Sequence, residues 1–89
     1  MPLEVRRMRH VIALADHGSF ARAATALGLS QSALSRSIQS VERELGSSLF
    51  VRTASGVEPT DGGRVFVVRI RQIVQLTEDL DRDLTNERR

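Results

Sequence analysis

Apolar residues recur along the chain with helical spacing, in blocks separated mainly by glycine. Met8, Val11, Ile12 and Ala15 fall at i, i+3, i+4 and i+7, which predicts a helix from about Leu3 to Asp16. His17-Gly18 ends it, with Gly18 just past the last turn. Ser19 is placed to cap a second helix, in which Phe20, Ala23, Ala24 and Leu27 repeat the same spacing. That helix is short and rich in alanine, so a neighbouring backbone can approach closely, and Gly28 stops it. Ser30 caps a third helix with the apolar stripe Leu34, Ile38, Val41 and Leu45, spanning about 60° of arc. Gly46 ends it. Leu49 to Arg52 is then strand-like, Thr53 to Gly56 reads as a turn, and Val57-Glu58 as a short return strand. Pro59 has no N–H to donate and closes the ribbon. Thr60 caps a last helix, with Asp61 well placed against the positive end of its dipole. This helix is expected to run to about Asn86, close to 40 Å. Phe66, Ile70, Ile73, Leu76, Leu80 and Leu84 line one face, and Val65, Val67, Val68 and Val74 widen the apolar surface near its start. A helix apolar on more than one side is usually buried on more than one side.

Two short helices joined by a three-residue turn containing glycine make a helix-turn-helix, here at about 20–39. Ala23 and Ala24 supply the small residues between the helices. Gly28 supplies a position tolerant of positive φ, and Leu29 a plug for the gap. The ribbon at about 49–58 follows in the position of a wing. The expected fold is therefore mainly α: a winged helix-turn-helix of three helices and a two-stranded wing over 1–60, then a long helix over 61–89.

The polar face of the third helix carries the strongest chemical signal. Ser32, Arg36, Gln39 and Arg43 lie within about 60° of one another opposite the apolar stripe, with Ser35 on the flank. No carboxylate occurs from Ser30 to Val41; Glu42 and Glu44 come only later. Gln and Arg are the side chains that read adenine and guanine edges by paired hydrogen bonds, and the helix N-terminus offers free N–H groups to a phosphate. A merely soluble face usually mixes acids with bases. In the wing, Arg52 and Thr53 are candidates for the phosphate backbone or the minor groove, against the plainer reading of a structural hairpin.

Composition narrows the partners. The 89 residues contain no cysteine and two histidines, His10 and His17, so neither a disulfide nor a thiolate or histidine metal site is expected, and no cofactor. The longest unbroken apolar run, Val11 to Ala15, is far too short to span a membrane, and no signal peptide is visible at Met1-Pro2-Leu3-Glu4. All thirteen basic residues are arginine. Residues 1–72 hold ten of them against six carboxylates, whereas 73–89 hold three against five. The basic part suits an anionic partner, because arginine matches phosphate and guanine edges better than lysine does.

Gly18-Ser19-Phe20-Ala21-Arg22-Ala23-Ala24, Leu27-Gly28-Leu29-Ser30-Gln31-Ser32-Ala33-Leu34-Ser35-Arg36, Glu42-Arg43-Glu44-Leu45-Gly46, Leu49-Phe50-Val51-Arg52-Thr53 and Thr60-Asp61-Gly62-Gly63 follow one another along the chain. In order and spacing they resemble the N-terminal domain of LysR-type transcriptional regulators, over nearly the whole length. The resemblance implies a winged helix-turn-helix whose positions Gln31, Ser32, Ser35 and Arg36 approach the major groove, whose Arg52 lies in the wing, and whose long helix pairs two subunits. Ser32 stands where many members have proline; it still begins a helix and adds a hydroxyl. The resemblance also implies a longer protein with a C-terminal domain that binds a small effector. The chain reads as an excised DNA-binding fragment, the alternative being a naturally short regulator.

The expected function is sequence-specific binding of duplex DNA by a cytoplasmic bacterial homodimer at an interrupted inverted repeat. The candidate DNA contacts are Ser19 and Ser30 at the helix starts, then Gln31, Ser32, Ser35, Arg36 and Gln39, then Arg52 and Thr53. The candidate dimer face is Phe66, Ile70, Ile73, Leu76, Leu80 and Leu84, because the later leucines have no obvious partner in so small a monomer. The alternative is a winged-helix module that binds protein. Catalysis is not expected: Asp16, His17 and Ser19 are neighbours around a glycine turn, a poor geometry for a nucleophile and base, and a helix cap explains Ser19 better.

Overall fold

A computed structural model describes residues 3–88. Met1, Pro2 and Arg89, at the outer ends of the two expected regions, lie outside the described residues. Four helices and one hairpin follow in order: α1 (Val5–His17), α2 (Phe20–Leu27), α3 (Gln31–Leu45), β1 (Phe50–Thr53), β2 (Gly56–Pro59) and α4 (Asp61–Glu87). The expected caps form. The side chains of Ser19, Ser30 and Thr60 accept the N–H groups of Arg22, Ala33 and Gly63, which satisfies donors that have no partner inside a helix.

α1 packs against α2, α3, α4 and β2, and so occupies the centre. Val11, Leu14, Leu34, Val41 and Ile70 are the largest fully enclosed side chains. Leu14 lies outside the single apolar stripe read for α1, because a helix covered from several sides buries more than one face. On α3 the stripe Leu34, Ile38 and Val41 is buried, with Leu45 half-buried, as its spacing predicts.

The hairpin is antiparallel, with Phe50 opposite Pro59 and Thr53 opposite Gly56. Its loop is only Ala54-Ser55. Thr53 is therefore a strand residue and not part of the turn. Leu49, expected to start the strand, is instead buried outside it. The Leu49 carbonyl accepts the Thr60 N–H at 2.9 Å, which ties the base of the wing to the start of α4.

α4 contributes Gly63, Val67, Ile70 and Val74 to the core, then runs on past the domain, giving a molecule 51 Å long. The single stripe read from Phe66 to Leu84 divides into two faces. Ile70 is 1% exposed and belongs to the chain's own core, so it is not available to a second copy. Phe66 is half-buried against that core. Val65, Ile73, Leu76, Leu80 and Leu84 are exposed and lie on a separate face, turned by about 120° from the core line. A 100° step per residue puts Ile70 at the core edge of the stripe, about 80° from Leu80 and about 120° from Leu76.

Candidate nucleic-acid interface

The turn between α2 and α3 is Gly28-Leu29-Ser30. Gly28 takes φ +70°, and the Leu29 N–H donates to the Ala24 carbonyl at 2.9 Å. α2 thus closes within one residue, and α3 starts at a fixed angle to it. Ser30 Oγ accepts the Ala33 N–H at 3.1 Å and lies 3.3 Å from Ser32 Oγ; Ser19 Oγ accepts the Arg22 N–H at 3.3 Å. Both cap hydroxyls therefore accept a backbone N–H through their oxygen, and the Ser30 hydroxyl also shares a hydrogen bond with that of Ser32.

With its apolar stripe against the core, α3 presents Gln31, Ser32, Arg36, Gln39 and Arg43 to solvent, and Ser35 half-buried on the flank towards the wing. Arg36, Arg43 and Arg52 form no ion pair among the described residues. Their charge is not neutralised within the chain.

A groove of about 160 Å³ separates α3 from β1, lined by Phe20, Ser35, Gln39, Glu42 and Arg52 among others. Two residues there escape a reading of the sequence alone. Phe20, read only as one member of an apolar stripe, lies under Arg52, whose guanidinium carbon is 5.0 Å from the ring centroid. A cation over an aromatic face is held without losing its charge. Glu42, read only as an acid beyond the groove, faces the chain's own backbone. Its Oε2 accepts the Leu49 N–H at 2.6 Å and the Phe50 N–H at 3.3 Å, with Ser48 Oγ at 3.4 Å. One carboxylate thus anchors the loop from α3 to the wing. Nothing local in the sequence marks it, because the two amides it accepts lie seven and eight residues further on. Thr53 is half-buried, with its hydroxyl 3.4 Å from Ser55 Oγ.

The wing also touches the other end of the motif. The Val57 N–H donates to the Gly18 carbonyl at 3.0 Å, so the turn before α2 and the second wing strand are hydrogen-bonded. α2, α3 and the hairpin therefore present Arg36, Gln39 and Arg52 from one continuous frame. Among the described residues no helix is long and apolar enough to cross a membrane, and no cluster of His, Cys, Asp or Glu could hold a metal ion.

Comparison with known proteins bears on this frame. Residues 5–64 match the family described as bacterial regulatory helix-turn-helix protein, lysR family. The chain is 42% identical over 76 residues to the HTH-type transcriptional regulator TfdT of Cupriavidus pinatubonensis, covering 85% of this chain and 33% of that protein. It is similar to the DNA-binding domain of CbnR in a crystal structure with DNA: TM-score 0.89, 32% identity, 98% of this chain and 100% of that one. It is also similar to Vibrio fischeri DarR in complex with DNA, at TM-score 0.90 and 27% identity, over 97% of this chain and 30% of that one. The chain spans a third or less of the length of the first curated relatives it matches.

Proposed function

Because the chain belongs to the LysR family of bacterial regulatory helix-turn-helix proteins, we propose that it reads duplex DNA as a homodimer for a cytoplasmic transcription regulator. Residues 1–60 are the reading unit and 61–89 the linker that joins two copies. The observation that carries this reading is the outer face of α3: Gln31, Ser32, Arg36 and Gln39 are exposed, with no acid among them. A helix fits the major groove, where Arg pairs with guanine and Gln with adenine. Ser35 and the cap serines Ser19 and Ser30 donate to nearby phosphates or base edges, and Arg52 and Thr53 bring the wing to the backbone.

The dimer follows from α4. Burying a leucine contributes roughly 1.5–3 kcal/mol, so the exposed Leu76, Leu80 and Leu84 favour a partner helix. A two-fold axis there matches two recognition helices to successive major grooves, about 34 Å apart. An effector acts only through a further domain of the kind carried by longer relatives. Selection from a random pool of duplexes tests the reading. The expected product is an interrupted inverted repeat; recovery of no preferred sequence would refute specific binding.

A further inference from the structure

Outside the core, α1 and α4 are tied to each other twice. Arg9 Nη1 donates to Glu78 Oε1 at 3.2 Å, and the Arg71 guanidinium donates to Asp16 Oδ1. On each helix the two members stand seven residues apart, which is two turns and about 10.5 Å. They come in opposite order along the two helices, so the pairs bracket one antiparallel stretch. Their polarity alternates: α1 gives the arginine to one pair and the carboxylate to the other. A slide of two turns would bring Arg9 opposite Arg71, so the pattern selects a single register. The other ion pairs of α4, Arg64 with Asp61 and Arg82 with Asp79, stay within that helix and fix nothing outside it.

Between the two bridging pairs the helices do not fill the space. A groove of roughly 510 Å³ lies there, with Ile12, Ala13, Ala26 and Val74 along it. Among the described residues, Val74 is the last buried residue of α4, and Glu78 makes the last ion pair from α4 to another element. Packing holds the helix along the line Val67, Ile70 and Val74, and the open groove beside that line leaves room for a roll. The charged edge resists it. Arg71 and Glu78 lie within about 20° of each other around α4, and Leu80 lies about 160–180° from both. One edge of α4 therefore grips its own domain, while the opposite edge carries the exposed leucines. Over the 26 Å breadth of the molecule, a roll of about 10° displaces the reading head by about 4.5 Å, more than the base-pair rise of about 3.4 Å.

We propose that Arg9 with Glu78 and Asp16 with Arg71 are positioning residues that fix the separation at which the dimer reads its two half-sites. This rests on the reading of α4 as the dimer helix. Each pair is about half exposed and weak alone. Two pairs two turns apart act on the angle of the helix, to which the separation of the half-sites is sensitive.

The test is a panel of duplexes carrying the inverted repeat selected by the wild-type chain, with its spacer kept, lengthened or shortened by one base pair, and a single half-site beside them. The chain carrying Arg71→Ala and Glu78→Ala together remains a dimer in sedimentation and keeps its half-site affinity within about twofold. Its preference for the selected spacer over the neighbouring ones narrows by about three- to tenfold, the effect of losing two exposed pairs. Arg9→Glu narrows the preference too, and Arg9→Glu with Glu78→Arg restores it, because the pair reforms with its charges exchanged. A wild-type spacer profile in the alanine variant overturns the proposal, as does an exchanged pair that restores nothing. An equal fall on the half-site and on every repeat also overturns it, since these residues then serve the fold and not the spacing. A wild-type chain that is monomeric or indifferent to the spacer removes the dimer reading and this proposal with it. A spacer preference that the variants retain removes the role of the ion pairs alone.

Discussion

Arg52 lies above the Phe20 ring with its charge unpaired among the described residues, while the nearby Glu42 is occupied by backbone amides. The site thereby keeps a cation extended towards a polyanion without a carboxylate to compete for it. Arg52→Ala is expected to weaken binding to all sequences by a similar factor and to lower the salt slope by about one unit. Phe20→Leu keeps the charge and loses the ring face, so the slope stays close to wild type while affinity falls by about 0.5–1 kcal/mol; Phe20→Trp restores it. Fluorescence anisotropy over a salt series reads both, and a Phe20→Leu variant of full affinity would show that the stack does nothing for binding. Arg36 differs in kind. Its place on the acid-free face predicts a base contact, so Arg36→Ala costs about 1–3 kcal/mol on the preferred site and relaxes selection at one position. An equal loss on every duplex would make it a backbone contact.

The elements most open to sequence reading were those held by local rules. Serine or threonine caps and glycine stops bound α2, α3 and the start of α4, and the stripe Leu34, Ile38, Val41 gave α3 its orientation. What the sequence hid depends on contacts across the fold: Leu14 buried on a second face of α1, Leu49 held outside the strand, Ile70 turned into the core, and Glu42 gripping the wing loop. None of these has a local signature, because each is set by what packs opposite. The Glu42 anchor predicts that Glu42→Ala leaves the Leu49 and Phe50 N–H groups short of an acceptor. A loss of about 1–3 kcal/mol in chemical denaturation is expected, with the wing amides exchanging faster. The junction of α1 and α3 carries a pH signature. Burial first, then the charges of Arg6 and Arg7, hold the His10 pKa below its ordinary value of about 6.5. The unfolded chain therefore binds the proton more readily than the folded one between those two values. The stability from neutral His10 is complete above about pH 6.5 and is lost as pH falls through the folded value. Thermal melts from pH 7.5 to 5 show this decline, and it is reduced in His10→Phe; an identical decline in that variant would assign it to other groups.

Across the whole molecule, the part of α4 beyond Val74 has left the core, and Leu76, Leu80 and Leu84 are 67%, 60% and 48% exposed. Together with Val65 and Ile73 they form a face that a copy of the same helix can cover, and beyond Val74 the other sides of α4 carry polar residues such as Asp79 and Arg82. Leu80→Asp is expected to make the chain monomeric in sedimentation and to weaken binding to a full inverted repeat far more than to one half-site. An equal loss on both duplexes would separate the helix from dimer binding. The central claim is that the outer face of α3 reads base sequence. Equilibrium binding of wild-type chain and Arg36→Ala to a preferred duplex and to a scrambled duplex of the same length, at one fixed salt concentration, tests it most directly. The account predicts that wild type prefers the first duplex by at least about a hundredfold and that Arg36→Ala narrows the gap by about tenfold or more. Equal affinity of the wild-type chain for both duplexes would contradict it.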